Sequence, residues 1–250
     1  MPQLLNECSE EEVQRFIDSD HWCAQEKYDG VNRLLIKTGN EIVGANRKGL
    51  SVAIPKEVEE EMRTLPDCVL SGEAIGDKVM CFDIIPENKE EYRHRYSVLE
   101  GLLPTEHIRL VDTSWTTQQK RRLLLTLKND NKEGIVFKRI DSVYHPGRPN
   151  SGGDMLKFKF KATASVIVEG VNKGKRSVSM VMYDVGPVRV GNVTIYPNYT
   201  IPEEGSIIEV EYLYAFKGGS LFQPVYLGPR TDLDYSDCNI KQLKYKKEEE

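Results

Sequence analysis

From Leu156 to Lys161 the chain reads Leu-Lys-Phe-Lys-Phe-Lys, an unbroken alternation of apolar and cationic residues. Only a strand sorts such a run onto two faces, because successive side chains along it point in opposite directions. One face is then apolar and the other carries Lys157, Lys159 and Lys161. The run also marks a change of texture. Before it, strand-like and helix-like stretches mix. Beyond Ala162 the segments Ser165 to Gly170, Ser177 to Tyr183, Val188 to Ile195, Ile207 to Phe216 and Leu221 to Tyr226 are short and β-like, separated by Gly, Pro and Asn turns. The expected architecture is an α+β domain over 1–162, then a small all-β domain over 163–240, most economically a five-stranded barrel. A charged tail over 241–250 is expected to fray.

Within the first domain, Ser9-Glu10-Glu11-Glu12 is a capping box ahead of Val13, Phe16 and Ile17 at helical spacing. Strands are expected at Arg33 to Lys37, Glu41 to Ala45, Cys68 to Ile75, Val79 to Ile85 and Lys132 to Lys138. Helices are expected at Pro55 to Thr64, Glu87 to Tyr96 and Thr117 to Asn129. Between the first helix and the first of these strands lies Glu26-Lys27-Tyr28-Asp29-Gly30-Val31-Asn32-Arg33. The Asp29-Gly30 turn holds Lys27 at a strand mouth. A lysine there can act as a nucleophile if burial or neighbouring cations favour its neutral amine.

The five cysteines are odd in number, scattered and never in a Cys-x-x-Cys pair, which argues against a disulfide framework or a zinc knuckle. No apolar run approaches membrane-spanning length, and Met1 to Glu7 lacks the pattern of a signal peptide, so a cytoplasmic monomer is expected. The net charge of −5 conceals segregation: nine cations stand against three anions between Lys138 and Arg176, and seven acids against Arg15 in the first 26 residues. A polyanionic partner fits that basic stretch.

Read in order, the candidate residues near strand ends are Lys27, Arg47, Glu73, Phe82, Glu133, Lys157 and Lys159. In that order and context the chain resembles the covalent nucleotidyltransferase superfamily of ATP-dependent DNA ligases, RNA ligases and mRNA capping enzymes, from Glu26 to Asp232. Lys27-Tyr28-Asp29-Gly30 matches the nucleotidylated-lysine motif, and Asn46-Arg47-Lys48-Gly49 the segment that meets ribose and phosphate. Leu70-Ser71-Gly72-Glu73 and Phe82-Asp83-Ile84-Ile85 match the middle motifs, while Glu133 to Lys138 and Met155 to Lys159 resemble the last two of the domain.

The resemblance implies an α+β nucleotidyltransferase (adenylation) domain followed by an OB-fold domain. It also implies ATP and Mg²⁺ as cofactors, and lysyl-AMP formation on Lys27. Glu26, Asn32, Arg47, Glu73, Phe82, Glu133, Lys157, Lys159 and Arg230 are the implied nucleotide contacts, with Glu73 on the ribose, Phe82 stacked on adenine, and Glu133 and Glu73 near metal. Lys157 and Lys159 would face the α-phosphate and favour the neutral amine on Lys27 by like-charge repulsion. Arg33, Lys138, Arg148, Lys161, Lys173, Lys175 and Arg176 are the candidate nucleic-acid contacts. The implied partner is nicked duplex DNA or a DNA/RNA hybrid, and the implied reaction is the sealing of 5′-phosphate/3′-hydroxyl nicks in repair or replication. A duplex-RNA-sealing ligase, a GTP-dependent RNA guanylyltransferase and a catalytically idle nick-binding module are the alternatives. Two positions depart from the DNA-ligase pattern: Asn32 stands where arginine is common, as in RNA ligases, and Leu233 replaces the lysine of the closing Arg-x-Asp-Lys motif.

Overall fold

The computed structural model describes residues 1–103 and 105–246. The chain divides into two compact units, 1–129 with 133–158, and 130–132 with 159 onward. In chain order the first unit contains β1 (Asn6–Glu7), α1 (Glu10–Asp18), β2 (Trp22–Lys27), β3 (Val31–Thr38), β4 (Glu41–Ala45), β5 (Ser51–Val52), α2 (Lys56–Thr64) and β6 (Cys68–Ile75). It continues with β7 (Lys78–Ile84), α3 (Tyr92–Leu102), β8 (Ile108–Leu110), β9 (Thr113–Ser114), α4 (Thr117–Asn129), β10 (Gly134–Arg139) and β11 (Met155–Lys159). These strands form a six-stranded sheet in the order β5-β4-β3-β6-β7-β8 and a five-stranded sheet in the order β1-β11-β10-β2-β9.

The six-stranded sheet buries Leu35, Leu70 and Cys81 against Val58 and Met62 of α2 and Leu99 of α3. On the other sheet Phe16 of α1 packs against Trp22 and Phe137, with ring centroids 4.4 and 5.3 Å away. The Ser9 capping box forms in full. A cation closes the other end of α1: buried Lys120 of α4 donates to the Phe16, Ser19 and Trp22 carbonyls. Helix α3 starts at Tyr92 rather than Glu87, because its first N–H groups are taken up by another segment: Tyr92 N donates to Ser142 O and Arg93 N to Ile140 O. The alternating run likewise stops short. Beta structure ends at Lys159, and Lys161 N turns back onto Lys159 O.

The second unit contains β12 (Ala162–Val171), β13 (Ser177–Tyr183), β14 (Pro187–Thr194), β15 (Ile207–Tyr212), β16 (Tyr214–Ala215), β17 (Leu221–Phe222) and β18 (Val225–Pro229). An antiparallel sheet runs β14-β13-β12-β15-β18, and β16 pairs with β17. Val166, Val178, Met180, Val190, Ile208 and Val210 fill its core. Two of the expected strands, Ile207 to Phe216 and Leu221 to Tyr226, are each broken, at Leu213 and at Gln223, the latter with φ of 53°. The charged tail does not fray over its described part. Leu243 joins the core, Tyr245 bridges Ala215, and Lys244 Nζ donates to Phe160 O; residues 247–250 lie outside the described residues. Among the described residues no helix is long and apolar enough to cross a membrane.

Candidate active site

Both sheets of the first unit line one cavity of about 890 Å³, its open mouth included. At one end stands Lys27. It closes β2 opposite Gly134, and this register sets Glu133 beside it, with Nζ 2.5 Å from Oε2 and the two side chains 18 and 5% exposed. The turn that follows requires glycine: a Cβ on Gly30 would lie 2.4 Å from Ala74 O and 2.9 Å from Glu73 Cγ. The chain can therefore cross β6 closely and present Asn32 opposite Glu73 in the β3–β6 ladder. Burial pushes the Glu73 carboxyl up to about 7; Lys27 and Arg47 oppose the rise, and Glu133 and Asp29 add to it. Arg47 enters from a loop organised by Asn46, whose Oδ1 accepts from the Lys48 and Leu50 N–H groups. Lys157, brought to the cavity by β11, has Nζ 3.7 Å from Glu7 Oε1.

Lys27 thus has a carboxylate as an ionic neighbour, and Lys157 lines the same cavity. Lys159 belongs to the second unit, where its Nζ donates to Gln223 Oε1 at 3.1 Å. Glu26 does line the cavity.

The other end is built on a β-bulge. Ser71 faces Asp83 in the β6–β7 ladder and Gly72 faces Cys81, so Phe82 is an extra residue. A bulge re-aims the side chain and frees the carbonyl. The Phe82 ring lines the cavity, and its carbonyl accepts from Lys138 Nζ at 2.8 Å and Tyr92 OH at 3.1 Å. Lys138 Nζ also donates to Tyr92 OH at 3.2 Å and lies 4.7 Å from the Phe82 ring centroid. Burial pushes its ammonium down to about 8. Gln25 completes the network by donating to Tyr92 OH at 2.9 Å and Thr113 Oγ1 at 2.7 Å. Lys138 is therefore a buried wall of the cavity, not a surface contact for nucleic acid. The signal was available: Val136 and Lys138 share a face of β10 by period two, and Gln25 and Lys27 share a face of β2.

Asn32 lies between the two ends. Its Nδ2 donates to Gly72 O at 3.2 Å, while its Oδ1 is buried in the cavity lining with no hydrogen-bond partner. A buried acceptor left open calls for a donor from a ligand or water.

The other expected nucleic-acid contacts divide between the two units. Arg33 donates to Asn32 O and is not among the cavity-lining residues. Arg148 sits at the cavity and donates to Leu5 O at 2.6 Å. In the second unit Lys161 pairs with Glu211 at 2.8 Å, and Arg176 donates to the Ile195, Tyr196 and Tyr199 carbonyls. Lys173 and Lys175 stay exposed at the β12–β13 turn. Arg230, in the same unit, pairs with Asp232 at 2.8 Å and Glu209 at 3.0 Å.

No group of three His, Cys, Asp or Glu side chains able to hold a metal occurs among the described residues. Glu73 and Glu133 are two carboxylates only, a donor set that suits Mg²⁺ arriving with a triphosphate better than a protein-built cage.

The RNA ligase family model matches residues 20–159, which take in the whole of β2 through β11. No curated protein matches the chain. Among solved structures, one of a Lig E DNA ligase, described as DNA binding with a minimal scaffold, is 17% identical, with 92% of this chain and 98% of that one covered and a TM-score of 0.66. Pmar-Lig_Pre is 17% identical over 92% of this chain and 67% of its own, with a TM-score of 0.73. A mycobacterial DNA ligase D complexed with ATP and MES is 19% identical over 95% and 97%, with a TM-score of 0.57. At such identities the likeness is one of fold, the mixed α/β fold of ligase domains.

Proposed function

The chain belongs to the RNA ligase family, whose model takes in more than half of it, and we propose that it seals 5′-phosphate/3′-hydroxyl nicks in duplex DNA or a DNA/RNA hybrid through a lysyl-AMP intermediate. The observation that carries this reading is the Lys27–Glu133 pair at one end of a cavity whose other end presents Phe82. Lys27 Nζ attacks the α-phosphorus of ATP; the N–P bond forms as the P–O bond to pyrophosphate breaks. The amine's proton passes to Glu133 Oε2, already within hydrogen-bond distance. Arg47 and Lys157 meet the phosphate charge, and Glu73, as a carboxylate, accepts from the ribose hydroxyls. Mg²⁺ held by Glu73 and the second oxygen of Glu133 would supply further charge neutralisation at the phosphates. AMP then moves to the 5′-phosphate of the nick, where the 3′-hydroxyl displaces it.

ATP is favoured over GTP by Lys138. An ammonium has three N–H donors, and Phe82 O and Tyr92 OH use two of them. The third suits a ring nitrogen of adenine, where guanine offers an N–H. For the second unit, the order β14-β13-β12-β15-β18 supports an OB-type barrel in which β14 and β18 are the strands to be joined. Lys173 and Lys175 are its exposed phosphate contacts in this reading.

The test is incubation with α-labelled ATP or GTP and Mg²⁺, followed by a nicked duplex with DNA or RNA at each terminus. The expected result is protein labelled from ATP that passes its label to the nick and then seals it. Labelling from GTP alone would make the protein a guanylyltransferase, and retention of nicked duplex without covalent nucleotide would make it a nick-binding module.

A further inference from the structure

Arg95 is fully buried on α3 and is not among the cavity-lining residues, yet its contacts lead to groups that are. Its Nε and Nη2 donate to the two carboxylate oxygens of Asp83 at 2.8 and 3.1 Å. Asp83 lines the cavity, directly follows the bulged Phe82, and accepts the Ile84 N–H at 2.9 Å. Nη1 donates in another direction, to Glu90 O at 2.7 Å and Ser142 O at 3.1 Å. The guanidinium also lies over the rings of Tyr92 and Tyr144, at 5.3 and 5.6 Å. Tyr92 holds the Phe82 carbonyl. The Tyr144 hydroxyl accepts from Gln3 N and donates to Met1 O, each at 3.0 Å, and so clasps the N-terminal segment whose Gln3, Leu4 and Leu5 line the cavity.

A buried ion pair is a poor device for stability alone, because desolvating both charges offsets much of their attraction. What the pair gains here is geometry. We propose that Arg95 is a positioning residue for the nucleotide: through Asp83 it fixes the bulge that aims Phe82, and through Ser142 and Tyr144 it fixes the wall carried by Gln3 to Leu5. This rests on the reading of the cavity as the ATP site.

Arg95→Lys keeps the charge but cannot serve both arms, since an ammonium lacks the planar fork. In lysine adenylylation its KM for ATP rises about tenfold or more, while the rate at saturating ATP stays within about threefold of wild type. Sealing of a pre-adenylylated nick, which consumes no ATP, is unchanged. Lys120→Met, which removes a buried cation from the end of α1, serves as the matched control: it lowers the melting temperature and leaves the KM for ATP alone. An Arg95→Lys protein with the wild-type KM overturns the proposal, whatever its melting temperature, as does a fall in saturating rate alone. If Arg95→Lys does not fold, Tyr144→Phe is read in the same way, because it removes only the clasp on the N-terminal segment. A wild-type protein that takes no label from ATP overturns the ligase reading and this one together; a labelled wild type beside an indifferent Arg95→Lys overturns this one alone.

Discussion

Lys27 and Lys138 sit on paired antiparallel strands, opposite Gly134 and Cys23, four ladder positions apart, or roughly 13 Å along the sheet. Both reach the same cavity, yet they differ in what accepts from them. Lys27 meets a carboxylate that can take its proton. Lys138 meets a carbonyl and a phenol that cannot, in a place dry enough to push its ammonium down to about 8. In the proposed reaction the Lys27 end of the cavity moves a proton and the Lys138 end holds one, and the acceptor decides which.

The largest expected effect breaks this symmetry at the reactive end. Lys27→Ala loses covalent AMP capture by at least about 10³-fold, whereas Lys138→Met still takes label at saturating ATP. Equal labelling of wild type and Lys27→Ala on a gel would remove the distinction between the two lysines.

Next in size is Lys138→Met itself, which raises the KM for ATP about tenfold, the worth of one charge-assisted hydrogen bond. Its pH profile sharpens the contrast. Wild-type Lys138 sheds its proton as pH rises through about 8, so ATP affinity falls above that point. The Met variant has no such group and stays flat there. A wild-type affinity that does not decline between pH 7.5 and roughly 9 would show that Lys138 does not donate to the nucleotide.

The two ends also differed in how legible they were. Lys27, Arg47, Glu73 and Glu133 stand at strand ends and turns, where short local motifs carry the chemistry, so their meeting could be expected from order alone. The Phe82 end depends on non-local facts: a one-residue bulge, the β2–β10 register that faces Gln25 with Val136, and an arginine delivered by α3. None of these has a local signature. The basic stretch from Lys138 to Arg176 was less legible for a related reason. Density of charge along the chain says nothing of where the side chains go, and here one cation is buried, another ties down backbone carbonyls, and the rest divide between two units. The start of α3 was missed because carbonyls of residues 140 and 142, far along the chain, cap it.

Glu73 offers an effect of another kind, read as stability. Its carboxyl is raised from 4.5 to about 7, so between those values the folded protein binds more protons than the unfolded one. Stability therefore falls as pH rises through that window, and the deficit is complete above it, at about 3 kcal/mol. Glu73→Gln removes the deficit. Its melting temperature should exceed that of wild type at pH 8 and approach it near pH 4, while its ATP affinity drops. A constant gap between the two proteins across pH would contradict the burial argument.

The smallest expected effect concerns Asn32, between the two ends and opposite Glu73. Its amide nitrogen is committed to Gly72 O, and its oxygen is buried without a partner. A ribose hydroxyl is a donor that a deoxyribose lacks at the 2′ position, so the open acceptor favours RNA at the 3′-hydroxyl side of the nick. Arginine there would bring donors only, with added bulk and charge. Asn32→Arg should then lower sealing of RNA 3′-ends relative to DNA 3′-ends on the same DNA splint by a few-fold, roughly the 1 kcal/mol of one net hydrogen bond. If Asn32 instead serves the ribose of ATP, the ratio of ends stays fixed and the preference for ATP over 2′-deoxy-ATP in lysine adenylylation falls. Measuring both ratios in one variant assigns the orphaned oxygen to the nick or to the nucleotide, and a variant that moves neither would leave Asn32 as a spacer that only lets β3 lie close to β6.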